Sequence, residues 1–240
     1  MGLANFRWRL LFILGGILFL WQVSKVWINS SDEQSDARAQ LQEGPTIPSL
    51  NPEDDHWNER VNVAVYYEAL CPDSRSFFIK QLLPTYQKIA DNVQMELIPY
   101  GKATTRKTAD GYQFVCQHGP VECEANIIHA CSIAIIKDPS FQLEYLTCMI
   151  KNNMEPTNIM ASCAEKLNID ANSILECYKS EKGKELLAEN GEKTNSLVPK
   201  VSFIPTIALN KNTQNQARIL KNLLHEVCLL FKTPPKGCLD

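Results

Sequence analysis

The first ordered pattern along the chain is VNVAVYYE, residues 61–68, where Val61, Val63 and Val65 alternate with Asn62 and Ala64 before two tyrosines. Period-two alternation of β-branched residues predicts a strand. In CPDSRSFFIKQLLPTYQKIADN, Phe77, Phe78, Leu82, Tyr86 and Ile89 recur at helical spacing. Pro72 suits a first helical turn, where a missing N–H costs nothing, and Pro84 predicts a kink deeper in. VQMELIPYG, residues 93–101, reads as a second strand. The result is a βαβ unit whose connecting turn opens with Cys71.

From Cys116 to about Lys193 the pattern is mainly helical, with segments at ANIIHACSIAIIK, SFQLEYLTCMIKN, TNIMASCAEKLN and ANSILECYKSEKGKELLAEN. VSFIPTIALN, residues 201–210, returns to strand chemistry. QARILKNLLHEVCLLF, residues 216–231, predicts one amphipathic helix carrying Ile219, Leu220, Leu223, Leu224, Val227 and Leu230 on one face. Together these predict an α/β, thioredoxin-like fold with a helical, disulfide-stabilised insertion at about 117–195, all within a domain of residues 60–240.

Before this domain the pattern changes. Arg7 and Arg9 precede LLFILGGILFLWQV, which reads as a signal peptide or signal anchor within residues 1–28; either sends the remainder into the secretory lumen. If retained, residues 10–28 are a candidate membrane anchor. Residues 29–59 are polar, acidic and proline-containing and read as a flexible linker. Asn29-Ser30-Ser31 is a glycosylation sequon.

The 240-residue chain has a net charge of −3 and no basic block, which argues against nucleic-acid binding. The cysteines change the picture most. There are nine, an odd number, so four disulfides leave one thiol over. Cys71 is the candidate: a cysteine at a helix N-terminus meets unsatisfied N–H groups and the positive end of the helix dipole, which favour the nucleophilic thiolate. Ser74, one turn on, is placed to donate to its sulfur. Cys228 and Cys238 bracket a short loop they could close. CQHGPVECEANIIHAC, residues 116–131, holds three cysteines and two histidines but lacks the paired spacing of zinc fingers, so the expectation there is a disulfide cluster and no metal.

This last stretch resembles the C-Q-H-G-x2-E-C-x2-N-x4-C signature of the gamma-interferon-inducible lysosomal thiol reductase family, met at Cys116, Gln117, His118, Gly119, Glu122, Cys123, Asn126 and Cys131. The resemblance implies reduction of disulfides in protein substrates, in endosomes or lysosomes or after secretion. It also implies a cis-proline at Pro205 beside the redox cysteine, lining the substrate groove. The departure is Ser74, where the family has the second cysteine of Cys-x-x-Cys. A lone sulfur forms a mixed disulfide but has no resolving partner. The expectation is therefore a monomeric monothiol reductase or isomerase with no cofactor, needing an external thiol such as glutathione. The alternative is a non-enzymatic binder that holds clients as mixed disulfides or binds peptides.

Overall fold

The computed structural model describes residues 60–109 and 111–239. The signal or anchor at 1–28, the linker at 29–59 and the Asn29 sequon lie outside the described residues. Among the described residues no helix is long and apolar enough to cross a membrane.

Strand β1 (Val61–Tyr67) is central, pairing in parallel with β2 (Val93–Pro99) and antiparallel with β5 (Thr206–Leu209). Because β1 is covered on both faces, its two sets of alternate residues are all buried. Val61, Val63, Val65 and Tyr67 join the main core, and Ala64 and Tyr66 pack with Ile98 and Ala208 on the other side. The predicted alternation of Asn62 is the one half-buried exception.

The first connection holds one continuous helical segment with three geometries: α1 (Pro72–Phe77), a π-helical turn (Phe78–Leu82) and α2 (Leu83–Ile89). The kink expected at Pro84 takes the form of this π turn. Proline has no N–H for the carbonyl four residues back, and the preceding Leu83 N–H reaches Phe78 O instead.

Two strands that the sequence pattern left unread, β3 (Thr104–Thr108) and β4 (Gly111–Val115), form a separate hairpin in strict register from Thr104↔Val115 to Thr108↔Gly111. The helical insertion follows as α3 (Pro120–Ile135), α4 (Pro139–Ile150), α5 (Pro156–Leu167), α6 (Ala171–Lys179) and α7 (Glu181–Asn195). The last predicted helix of that block is two, divided at Ser180, whose extended backbone (φ −93°, ψ 167°) ends α6 and starts α7. Gln142 donates to the Ile133 and Ile136 carbonyls, satisfying the orphan end of α3.

Two further expectations are corrected. The strand foreseen at 201–210 is only four residues long, because Pro205, just before it, has no N–H to donate to a ladder. The single C-terminal helix is α8 (Gln216–Lys221) and α9 (Leu223–Cys228), interrupted at Asn222, whose φ of −152° leaves helical space and whose side chain caps the His225 N–H.

Four disulfides tie these elements: Cys116–Cys123, Cys131–Cys177, Cys148–Cys163 and Cys228–Cys238. Three lie in or at the edge of the insertion. Cys131–Cys177 closes the longest loop, 46 residues, and joins α3 to α6. Loop-closure entropy assigns it about 4 kcal/mol. Replacing both cysteines by alanine should lower the thermal midpoint by ten degrees or so under non-reducing conditions; calorimetry of the double variant checks this, and a change smaller than that of Cys228→Ala/Cys238→Ala, which opens a 10-residue loop, would contradict the ranking.

Candidate active site

Cys71 is the one free cysteine, with 7 % of its surface exposed. It stands at the N-cap of α1 in extended conformation, and its carbonyl accepts the Arg75 N–H at 3.0 Å. Its sulfur faces the Ile204 carbonyl at 3.9 Å, immediately before the cis Ile204–Pro205 bond. The chain thus brings Cys71 against Ile204, the residue before Pro205, across 133 residues. Beside them a cleft of about 310 Å³ is lined by Asp73, Ser76, Phe77, Lys80, Ile204 and Pro205, with Phe203 partly exposed at its wall.

Ser74 is fully buried, and its hydroxyl accepts the Glu68 N–H at 3.4 Å. No hydrogen bond joins it to the Cys71 sulfur; the contact it makes gives the Glu68 N–H, just past the end of β1, its partner.

The link from β1 to Cys71 is short and mostly lacks backbone partners, so side chains supply them. The Ala69 N–H donates to Asn126 Oδ1 at 2.9 Å, and the Ala69 carbonyl accepts from Asn153 Nδ2 at 3.4 Å. Asn153 Nδ2 also donates to His129 Nε2 at 3.1 Å, which leaves Nδ1–H to donate to the Tyr67 hydroxyl at 3.0 Å. Tyr67, Asn126, His129 and Asn153 are all buried. Burial alone pushes His129 down to about 3, so this imidazole is neutral and acts as a bridge, not a base.

The signature residues divide between two tasks. Cys116–Cys123, Cys131–Cys177 and Asn126 brace the loop from behind. Gly119 takes φ +84° at the N-cap of α3, a conformation that favours glycine. His118 N–H donates to Glu122 Oε1 at 3.1 Å, while His118 Nδ1 lies 2.5 Å from Glu122 Oε2 and 3.5 Å from Glu68 Oε2. Both glutamates are fully buried. Glu68 Oε1 accepts the Lys102 N–H at 2.8 Å. Burial raises the Glu68 carboxyl, the Lys102 N–H opposes this, and Glu122 adds to the rise. Gly101 is required here: at φ +62° a Cβ would meet Glu68 Cγ at 2.1 Å. Gln117 is exposed, and no hydrogen bond of the site uses its side chain. Cys228 and Cys238 are bonded to each other, both beyond the site in sequence, and pin the C-terminal turn to α9.

Sequence reasoning passed over Tyr67, Glu68, His129 and Asn153. Glu68 left a signal, a carboxylate ending an apolar strand. Asn153 left none: it comes from the α4–α5 turn, 84 residues from Ala69.

Comparison with known proteins places this geometry. Residues 62–167 match the family model "Gamma interferon inducible lysosomal thiol reductase (GILT)". A gamma-interferon-inducible lysosomal thiol reductase-like protein of Anopheles gambiae is 32 % identical over 198 residues, spanning 75 % of this chain and 81 % of that one. The chain belongs to the GILT family. The gamma-interferon-inducible lysosomal thiol reductase of Carassius auratus is likewise 32 % identical, over 74 % of this chain and 72 % of its own. Among solved structures, BdbD of Bacillus subtilis (TM-score 0.54, 73 % of this chain and 90 % of that one) and the thiol-disulfide oxidoreductase MdbA of Actinomyces oris (0.52, 72 % and 82 %) share the fold at 14 % identity. The thioredoxin-like fold read from the sequence is therefore the fold of this GILT member.

The neutral, buried His129 gives a pH prediction. Its folded value lies below the ordinary 6.5, so the unfolded chain binds the extra proton, and stability rises with pH in that window. This contribution is complete above pH 6.5 and is lost as pH falls from 6.5 towards 3, by up to about 1.4 kcal/mol per pH unit. Urea unfolding of the wild type and of His129→Gln from pH 7 to pH 4 should show a shallower acid loss in the variant; parallel curves would count against the assignment.

Proposed function

We propose that this GILT-family oxidoreductase exchanges disulfides of protein substrates through Cys71 alone. The observation that carries this reading is the pairing of one free thiol at the N-cap of α1 with the Ile204–Pro205 segment, inside a domain whose other eight cysteines are bonded.

The Cys71 thiolate attacks one sulfur of a substrate disulfide. An S–S bond forms between Cys71 and that sulfur as the substrate's own S–S bond breaks, and the second substrate sulfur leaves as thiolate. The Ile204–Pro205 segment, Phe203 and the cleft beside α1 receive the substrate chain. Resolution needs a second thiol. Glutathione, attacking the substrate-side sulfur, returns Cys71 as thiolate and leaves the substrate glutathionylated; a second glutathione then completes a net two-electron reduction to substrate thiol and glutathione disulfide. A free cysteine of the substrate attacking the same sulfur gives isomerisation without net reduction. Ser74 cannot replace either attacker, because its hydroxyl brings no thiolate to exchange with the mixed disulfide. Four disulfides fit an oxidising compartment, the secretory lumen leading to lysosome or exterior; the domain acts there as a monomer, with or without the segment at 10–28 as a tether.

A second reading is favoured by the same buried serine. Without a resolving thiol the mixed disulfide persists wherever external thiol is scarce, and the protein then retains clients instead of turning them over. Insulin reduction with glutathione, at pH 5 and pH 7, separates the two. Wild type should turn over, Cys71→Ser should fall to the uncatalysed background, and Ser74→Cys should exceed wild type because it restores internal resolution. Wild type equal to Cys71→Ser would overturn the enzyme reading, and covalent clients trapped on Cys71 without turnover would establish the binder.

A further inference from the structure

We infer that Glu68, His118 and Glu122 form a binding site for one divalent transition-metal ion of the zinc class, beneath the Cys71 loop. Glu68 Oε2, His118 Nδ1 and Glu122 Oε2 lie within 4.8 Å of one another, although they come from the end of β1, the loop after β4 and the first turn of α3. Two carboxylates and an imidazole are a donor set that zinc accepts, and their two negative charges match a divalent ion.

Three observations go beyond the presence of acidic groups. Glu68 Oε2 is buried without a hydrogen-bond partner, in a residue with no exposed surface. A buried carboxylate oxygen in that condition is costly unless something positive meets it, and His118 Nδ1 stands 3.5 Å away without a hydrogen bond to it. Second, each carboxylate has its other oxygen fixed by a backbone N–H: Lys102 holds Glu68 Oε1 and His118 holds Glu122 Oε1. That support leaves one oxygen of each turned to the same point, as outer-shell partners of metal ligands do. Third, His118 is only partly covered, 36 % exposed, and so opens the site to solvent and leaves a coordination position for water.

Around a tetrahedral ion at about 2.1 Å, ligand atoms stand about 3.4 Å apart. Glu68 Oε2 and His118 Nδ1 already have this spacing. Glu122 Oε2 and His118 Nδ1, in hydrogen-bond contact at 2.5 Å, would open to that spacing around an ion that takes the place of their hydrogen bond. The zinc-finger spacing sought in the sequence involved the cysteines of the same stretch, which are spent on disulfides; the ligands assemble instead from carboxylates distant in sequence. Since Glu68 also holds Ser74 through its N–H and Cys71 through its carbonyl, the ion would fasten the Cys71 loop to the hairpin and to α3.

The test uses the full chain carrying Cys71→Ser, which removes thiol ligation and makes the result independent of the redox reading. After EDTA treatment and dialysis, zinc chloride is titrated calorimetrically. One zinc per chain is expected, with Glu68→Gln and His118→Ala each binding at least about 100-fold more weakly. Cobalt(II) added to the same chain should give a visible d–d spectrum without sulfur charge-transfer bands, a readout that does not depend on the Glu68 or His118 variants folding. No stoichiometric zinc binding, unchanged affinity in a folded His118→Ala, or a thiolate-type cobalt spectrum would each overturn the site.

Discussion

The structure depends on how the peptide at Ala69 is held. The strand β1 ends at Tyr67 and the helix α1 begins at Pro72, so the intervening backbone has neither ladder nor helix to satisfy it. In a buried place that deficit would cost a few kcal/mol. Asn126 and Asn153, both from the helical insertion, supply the missing acceptor and donor. The insertion is thus part of the frame that holds the Cys71 loop. Its disulfides matter for the same reason: they tie α3, which carries Asn126, to α6, and join α4 to α5 on either side of the turn that carries Asn153.

From that fixed peptide the chemistry follows. With Ala69 pinned, Cys71 sits at the head of α1 with its carbonyl in the first helical turn and its sulfur against the Ile204 carbonyl. Cys71 is nearly covered, 7 % exposed, and Ile204, whose carbonyl its sulfur faces, also lines the cleft beside Pro205. The side of the loop away from that cleft is polar and acidic: Glu68 is drawn between Lys102 and His118, and Gly101 makes room for it. One residue, Glu68, therefore couples the cysteine loop, the hairpin turn and the first turn of α3.

Much of this was legible in the sequence. The alternation of residues 61–67 located the central strand, and the odd cysteine count singled out Cys71 before any pairing was known. The C-Q-H-G-x2-E-C-x2-N-x4-C stretch pointed to the family. What the sequence hid was set by contacts distant along the chain. Asn153 is an ordinary turn residue until it lies against Ala69. The hairpin at 104–115 escaped notice because Thr104, Thr105, Arg106 and Lys107 are exposed and so show no apolar alternation; its one local signal was Asp110-Gly111 between β-branched and aromatic residues. The break at Asn222 is invisible to periodicity, since the apolar stripe runs straight through it, and only the capping chemistry of asparagine marks it. Ser74 differed in partner: its closeness in sequence to Cys71 implied a bond to sulfur, but the bond it makes is as acceptor of the Glu68 N–H.

The account stands on a single unbonded sulfur at the head of α1. Alkylation of the native, unreduced protein with iodoacetamide, followed by non-reducing peptide mapping, reads that state directly. The prediction is one alkylated cysteine, Cys71, with cystines at 116–123, 131–177, 148–163 and 228–238. Recovery of Cys71 in a cystine with another residue of its own chain would contradict it and reduce the sulfur to a structural cross-link.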